Sequence, residues 1–166
     1  REALDFAEKE KIRIILAGIE EVNDDVIARI KKAGAPVIVG PTLDLPNQED
    51  DPYDAKPMLP VDLHKAGIKI AFATFDTQFA RNLPYQAATA VAYGMPYEEA
   101  LKAVTINAAE IWGVGAETGS IDKGKWADLI VTDGDPLETA TQIKHMFIKG
   151  KPVDLSSKHT KLYEKY

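Results

Sequence analysis

The chain has 166 residues, 45% of them hydrophobic and 28% charged, and carries a net charge of −6. That length supports one sizeable core with a small appended unit, and a surface of this sign attracts neither phosphate backbones nor anionic lipid, so no nucleic acid and no membrane is expected among its partners. Its apolar runs fall short of the roughly 20 residues of a bilayer span, and the absence of cysteine excludes disulfides and thiolate metal sites.

The opening stretch "REALDFAEKEK" has Leu4, Phe6 and Ala7 close to helical spacing among charges, the grammar of an amphipathic helix. Because it starts at Arg1 in mid-helix pattern, the chain is expected to lack its beginning. No targeting segment is visible, a soluble protein is expected, and the compartment stays open. "IRIILAG" (12–18) is a short β-branched run of the kind buried in parallel sheets. "NDDVIARIKKAGA" predicts a helix with Asn23 or Asp24 as cap and Gly34 as stop. "PVIVGP" (36–41) is a second strand. The stretch 42–60 carries four prolines and five acids, which predicts a long irregular loop, and such loops are often functional. A brief helix at 61–67 and a third strand, "IKIAFATFD" (68–76), follow. Strands alternating with helices predict βαβ units and a parallel sheet.

From 82 to 113 the pattern is helical. Asn82 can cap with Pro84 in the first turn, Gly94 ends that helix, and Pro96 opens one with Tyr97, Ala100, Leu101 and Val104 on a single face. Asn107 and Glu110 have capping-box spacing for a third, short helix. After Gly113, "TGSIDKGKWADLIVTDGDP" and "QIKHMFIKGKPV" predict three or four antiparallel strands broken by Lys-Gly and Asp-Gly turns. The polar tail is expected to pack back onto the body. The expected divisions are 1–113, 114–155 and 156–166.

The series "NLPYQAATAVAYGMPYEEALKAVTINAAEIWGV", "GSIDKGKWADLIVTDGDPLE" and "IKHMFIKGKPV" resembles the amidohydrolase superfamily, in particular its imidazolonepropionase-like members. The likeness runs more loosely upstream to Arg1. The resemblance implies an α/β fold: the last three βα units of a (β/α)8 TIM-like barrel, then helices, then the C-terminal part of a small β-sandwich. The barrel's first five strands would precede Arg1. It also implies a hydrolase that acts on carbon–nitrogen bonds other than peptide bonds through a metal-activated water. Its cofactor would be a divalent metal, zinc by resemblance, and its substrate a small amide or cyclic amide.

At an open α/β sheet or barrel, residues just past the carboxyl ends of the strands face the ligand. Asp76 stands there, where the resemblance puts the last-strand aspartate that binds metal and carries a proton. The plainer alternative is a loop acid satisfied by nearby backbone N–H groups. Arg81 is placed to orient Asp76 or to meet a substrate carboxylate, with a helix-start salt bridge as the structural alternative. The strand 12–18 should end in a histidine ligand, but Gly18-Ile19-Glu20-Glu21 stands there instead. His64, His145 and His159 are far apart and none ends a strand, so all three are taken as structural or solvated. "NQEDDPYD" lacks the spacing of a calcium loop and is taken as a solvated lid.

Two accounts follow. In the first, the chain is the C-terminal part of an amidohydrolase and is inactive by itself. In the second, favoured by the missing histidine, it is a non-catalytic relative serving as a small-molecule-binding or scaffold module. An unrelated α/β binding domain would require the whole C-terminal series to be coincidence. Because three parallel strands leave an unpaired edge, a homo-oligomer or association with the missing N-terminal half is expected.

Overall fold

The computed structural model describes residues 1–20 and 22–166. Three parallel strands, β1 (Leu16–Ala17), β2 (Val37–Val39) and β3 (Ile70–Phe72), form a sheet in that order. Leu16 pairs with Val37 and Val37 with Ile70. The sequence suggested longer strands; the ladder takes in only Val37–Val39 and Ile70–Phe72 of the second and third runs and, in the first, Leu16–Ala17 at the end of the run. β1 is the shortest, and Ala17 is exposed at its outer edge. Val37, Val39, Ile70 and Phe72 share a core with Ile30 and Leu63 from the flanking helices. Each such aliphatic, fully buried, stabilises by about 1.5–3 kcal/mol relative to exposure.

The helix α1 (Glu2–Glu10) buries Leu4 and Ala7 but leaves Phe6 exposed. The next, α2 (Asp24–Ala33), forms as its caps dictate: Asn23 accepts from the Val26 N–H, and Gly34 ends the helix in a left-handed conformation.

The stretch 42–60 departs from expectation. Helix α3 (Ala55–Lys65) begins inside it and includes Pro57 and Pro60. Pro57 lies in the first turn, where a missing N–H costs little. Pro60 sits in the interior, at a cost of about 3 kcal/mol in an exposed helix. Here it is fully buried, with Leu59, Val61 and Leu63 buried around it, and that packing offsets the lost hydrogen bond.

Beyond β3, a 3-10 turn (Ala80–Asn82) leads into α4 (Leu83–Ala92), α5 (Tyr97–Ala103) and α6 (Ile106–Ile111). Asn82 makes no side-chain cap, because the 3-10 turn already runs into the helix. The expected capping box at Asn107 is absent. Helix α6 starts two residues earlier, with Thr105 in the cap position, and Asn107 Nδ2 donates to the Ile70 carbonyl at 3.2 Å, on the edge of β3 away from β2. Glu110 pairs with Lys69, which holds its carboxyl below the ordinary range.

The remainder is a three-stranded antiparallel sheet of β4 (Leu129–Thr132), β5 (Ile143–Ile148) and β6 (Lys151–Pro152). No strand forms between 114 and 128. Asp128 ties the sheet together by accepting from the Lys149 N–H and the Thr118 hydroxyl, which holds its carboxyl below the ordinary range. Lys149 and Gly150 both take positive φ, as a tight two-residue hairpin requires. Leu137 enters the core formed by the parallel sheet and its helices, and Tyr97 Oη donates to Asp135 at 2.7 Å. The tail does not pack back. It forms α7 (Lys158–Lys165), capped by Ser157 and Thr160, with no buried residue.

Candidate active site

The carboxyl ends of β2 and β3 approach closely because Gly40, at φ 135°, follows β2. A Cβ there would lie 1.9 Å from the Ala73 carbonyl oxygen. After Gly40 the chain runs through Pro41, Thr42, Leu43 and Asp44. After β3 it runs through Ala73, Thr74 and Phe75 to Asp76. Phe75 takes φ 52°, an uncommon conformation for a bulky residue that stores strain of roughly 1–3 kcal/mol. The Thr74 hydroxyl donates to the Asp76 carbonyl at 3.0 Å, and Asp76 Oδ1 accepts from the Gln78 N–H at 2.7 Å. The strained residue and these two bonds set the position of the carboxylate.

Asp76 is engaged locally and yet faces a cleft. One oxygen is satisfied by a nearby backbone N–H, as in the plainer alternative. The side chain nonetheless lines a cleft of about 250 Å³ together with Pro41, Leu43, Asp44, Thr74, Phe79, Asn82 and Gln86. Arg81 lies on the exposed 3-10 turn and is not part of that lining. None of the ion pairs among the described residues joins it to Asp76.

Two residues that sequence reasoning passed over anchor the cleft. Thr42 and Gln86 are each only 3% exposed. The Thr42 N–H donates to Gln86 Oε1, and the Thr42 hydroxyl lies 2.9 Å from the Gln86 carbonyl and 2.7 Å from Oε1. This fixes the loop after β2 to the first turns of α4. A signal existed: Gln86 shares the buried face of α4 with Ala87 and Ala90, and a polar group on such a face needs a partner.

The other candidates lie elsewhere. His64 is half-buried in α3, His145 is exposed in β5 and His159 is exposed in α7. At the end of β1, Glu20 accepts from Asn47 Nδ2 at 2.8 Å, while Glu21 lies outside the described residues. Of the "NQEDDPYD" acids, Glu49 and Asp50 are exposed and Asp51 and Asp54 half-buried, and Asp51 is turned back onto the Gln48 N–H. Among the described residues, no three His, Asp or Glu side chains converge to hold a metal ion. Asp44 and Asp76 both line the cleft, with Asp76 the acid that follows β3, and the described residues do not by themselves complete a divalent-metal centre.

The fold and cleft together define a parallel α/β protein with an acidic site at the carboxyl ends of its strands. Comparison with known proteins narrows this. The model of the amidohydrolase family matches residues 2–153, and the chain belongs to that family. The imidazolonepropionase of Flavobacterium psychrophilum is 37% identical over 99 residues, which are 52% of this chain and 24% of that protein. That of Caldanaerobacter subterraneus subsp. tengcongensis is 34% identical over 127 residues, 72% of this chain and 28% of its own length. An amidohydrolase from Thermotoga maritima superposes with a TM-score of 0.81 at 29% identity, covering 92% of this chain and 39% of that one. An adenosine deaminase from Xanthomonas campestris with bound zinc shares the fold at a TM-score of 0.68 and 19% identity, over 99% of this chain and 44% of its own. The chain thus spans less than half the length of these relatives. Members of the family generally use a divalent metal. Among the described residues, no helix is long and apolar enough to cross a membrane.

Proposed function

We propose that this chain is the C-terminal arc of an amidohydrolase that cleaves a carbon–nitrogen bond other than a peptide bond in a small amide or cyclic amide. In this reading β1, β2 and β3 are the last three strands of a (β/α)8 barrel, and β4–β6 belong to a small β-sandwich. The open barrel edges are closed by strands outside this chain or by a second copy of it. The other ligands of a divalent metal, zinc by resemblance, lie outside this chain as well, so the proton chemistry assigned here rests on Asp76 alone. That carboxylate takes a proton from the attacking water and returns it to the leaving nitrogen. Arg81, exposed beside the cleft, serves at most a substrate carboxylate that extends beyond it. The 166-residue chain by itself is expected to be inactive.

The observation that carries the reading is the Asp76 carboxylate at the carboxyl rim of the parallel sheet, lining a polar cleft. The test is amine or ammonia release by the full-length protein from a panel of N-acyl amines and five- and six-membered cyclic amides. Turnover that falls by about 10²–10⁴-fold in Asp76→Asn, with an unchanged unfolding midpoint, supports the reading. Equal turnover in the variant contradicts it. One observation favours the second account, a non-catalytic binding or scaffold module. The end of β1 offers Glu20, already engaged by Asn47, where a histidine ligand is expected. Binding of cyclic amides without hydrolysis of any of them would establish that account.

A further inference from the structure

The buried Gln86 has a function left over after its structural one. A backbone N–H can only donate, so the bond from Thr42 fixes which end of the Gln86 amide is oxygen. The oxygen is spent on Thr42. Among the described residues, no acceptor takes the hydrogens of Nε2, and none of their fully buried side-chain nitrogens and oxygens lacks a partner. Nε2 therefore reaches open space, and the space that Gln86 lines is the Asp76 cleft. A side chain 97% buried is thereby held rigidly with two unspent donors at the lining of that cleft.

The surroundings specify what such a donor would meet. Asp44 and Asp76 repel an anion, and the Nε2 hydrogens call for an acceptor atom on the ligand, which a simple cation lacks. Pro41, Leu43 and Phe79 supply apolar wall for a ring. The volume is below the roughly 300–1,000 Å³ of pockets for drug-sized ligands. A neutral amide offers a carbonyl acceptor and an N–H donor. In an ordinary trans peptide these point to opposite sides, whereas a small ring forces them onto one edge, where a single cleft serves both.

We propose that Gln86 is a specificity-determining residue whose Nε2 donates to the carbonyl oxygen of a neutral cyclic amide, with the ring nitrogen turned toward Asp76 and Thr42 acting as the positioning residue that aims the donor. This rests on the Asp76 cleft being the substrate site, but it is tested by binding rather than turnover. The probe is 2-pyrrolidinone, titrated into the full-length protein. The side-chain NH₂ resonances of Gln86 should shift on binding, while those of the exposed Gln142 should not. Gln86→Glu keeps the oxygen that receives the Thr42 N–H and, once ionised, removes the donor; burying a carboxylate near Asp44 and Asp76 lowers its unfolding midpoint, and where it remains folded and ionised it should bind the lactam roughly 3- to 10-fold more weakly. Undiminished affinity in that variant, bound lactam without a Gln86 shift, or no binding at all would overturn the inference. Should the variant fail to fold, the wild-type resonances decide alone. A protein that binds the lactam through Gln86 without hydrolysing any amide overturns only the hydrolase reading. Asp76-dependent hydrolysis with lactam binding indifferent to Gln86 overturns only this one.

Discussion

At the scale of single residues, the site depends on the close approach of two strand ends. Gly40 allows it, since a methyl group there would collide with the Ala73 backbone rather than with a movable side chain. Gly40→Ala is expected to push the loops after β2 and β3 apart and to destabilise the protein by at least about 2–4 kcal/mol. Urea unfolding measures this, and a loss below about 0.5 kcal/mol, the range of an ordinary surface change, would show that the loops separate at little cost. The place of Asp76 just past β3 was legible in the sequence because a single acid ending an apolar run stands out. Thr42 and Gln86 were not, because their bond spans 44 residues. Arg81 is close to Asp76 in sequence, but it lies on the exposed 3-10 turn, and no ion pair among the described residues joins the two.

At the scale of elements, the β-branched runs located all three parallel strands, and the Asn23 and Gly34 signals located α2. The failures came where tertiary contacts overrode local rules. Two prolines argued against a helix at 55–60, yet their burial holds α3 together. Asn107 had the spacing of a cap, but its amide donates to the far edge of β3 instead. The two roles are separable. At a cap, Asn107→Asp would be almost neutral. Against the Ile70 carbonyl it removes the donor and sets a carboxylate beside an acceptor, with an expected loss of about 1–3 kcal/mol in urea unfolding. The link from α5 to the antiparallel sheet is testable by pH. The hydrogen bond to Asp135 pushes the Tyr97 hydroxyl up to about 12 from 10.0. The folded state holds this proton more tightly than the unfolded one, so the stabilisation is fully present below pH 10 and is lost as pH rises toward 12. Wild type should be more stable than Tyr97→Phe at pH 8, and the two stability curves should converge by pH 12. A constant gap would contradict the bond's contribution.

At the scale of the whole molecule, the family was legible because its C-terminal series is an ordered run of turns and helices, each with its own local signal. The substrate was not, because no local signal in these residues specifies one and the chain spans less than half the length of its relatives. The central claim is that the three parallel strands are an arc of a larger closed sheet with Asp76 on its rim. Leu16 and Gly18 donate their N–H groups toward β2, and the alternation of strand backbone turns the Ala17 N–H to the outer edge. Amide hydrogen exchange at Ala17 is therefore the most direct measurement. In the full-length protein its amide should exchange at least about a hundredfold more slowly than in the 166-residue chain alone, because a further strand pairs with it. Equally fast exchange in both would mean that no strand closes this edge, and the barrel account would fail.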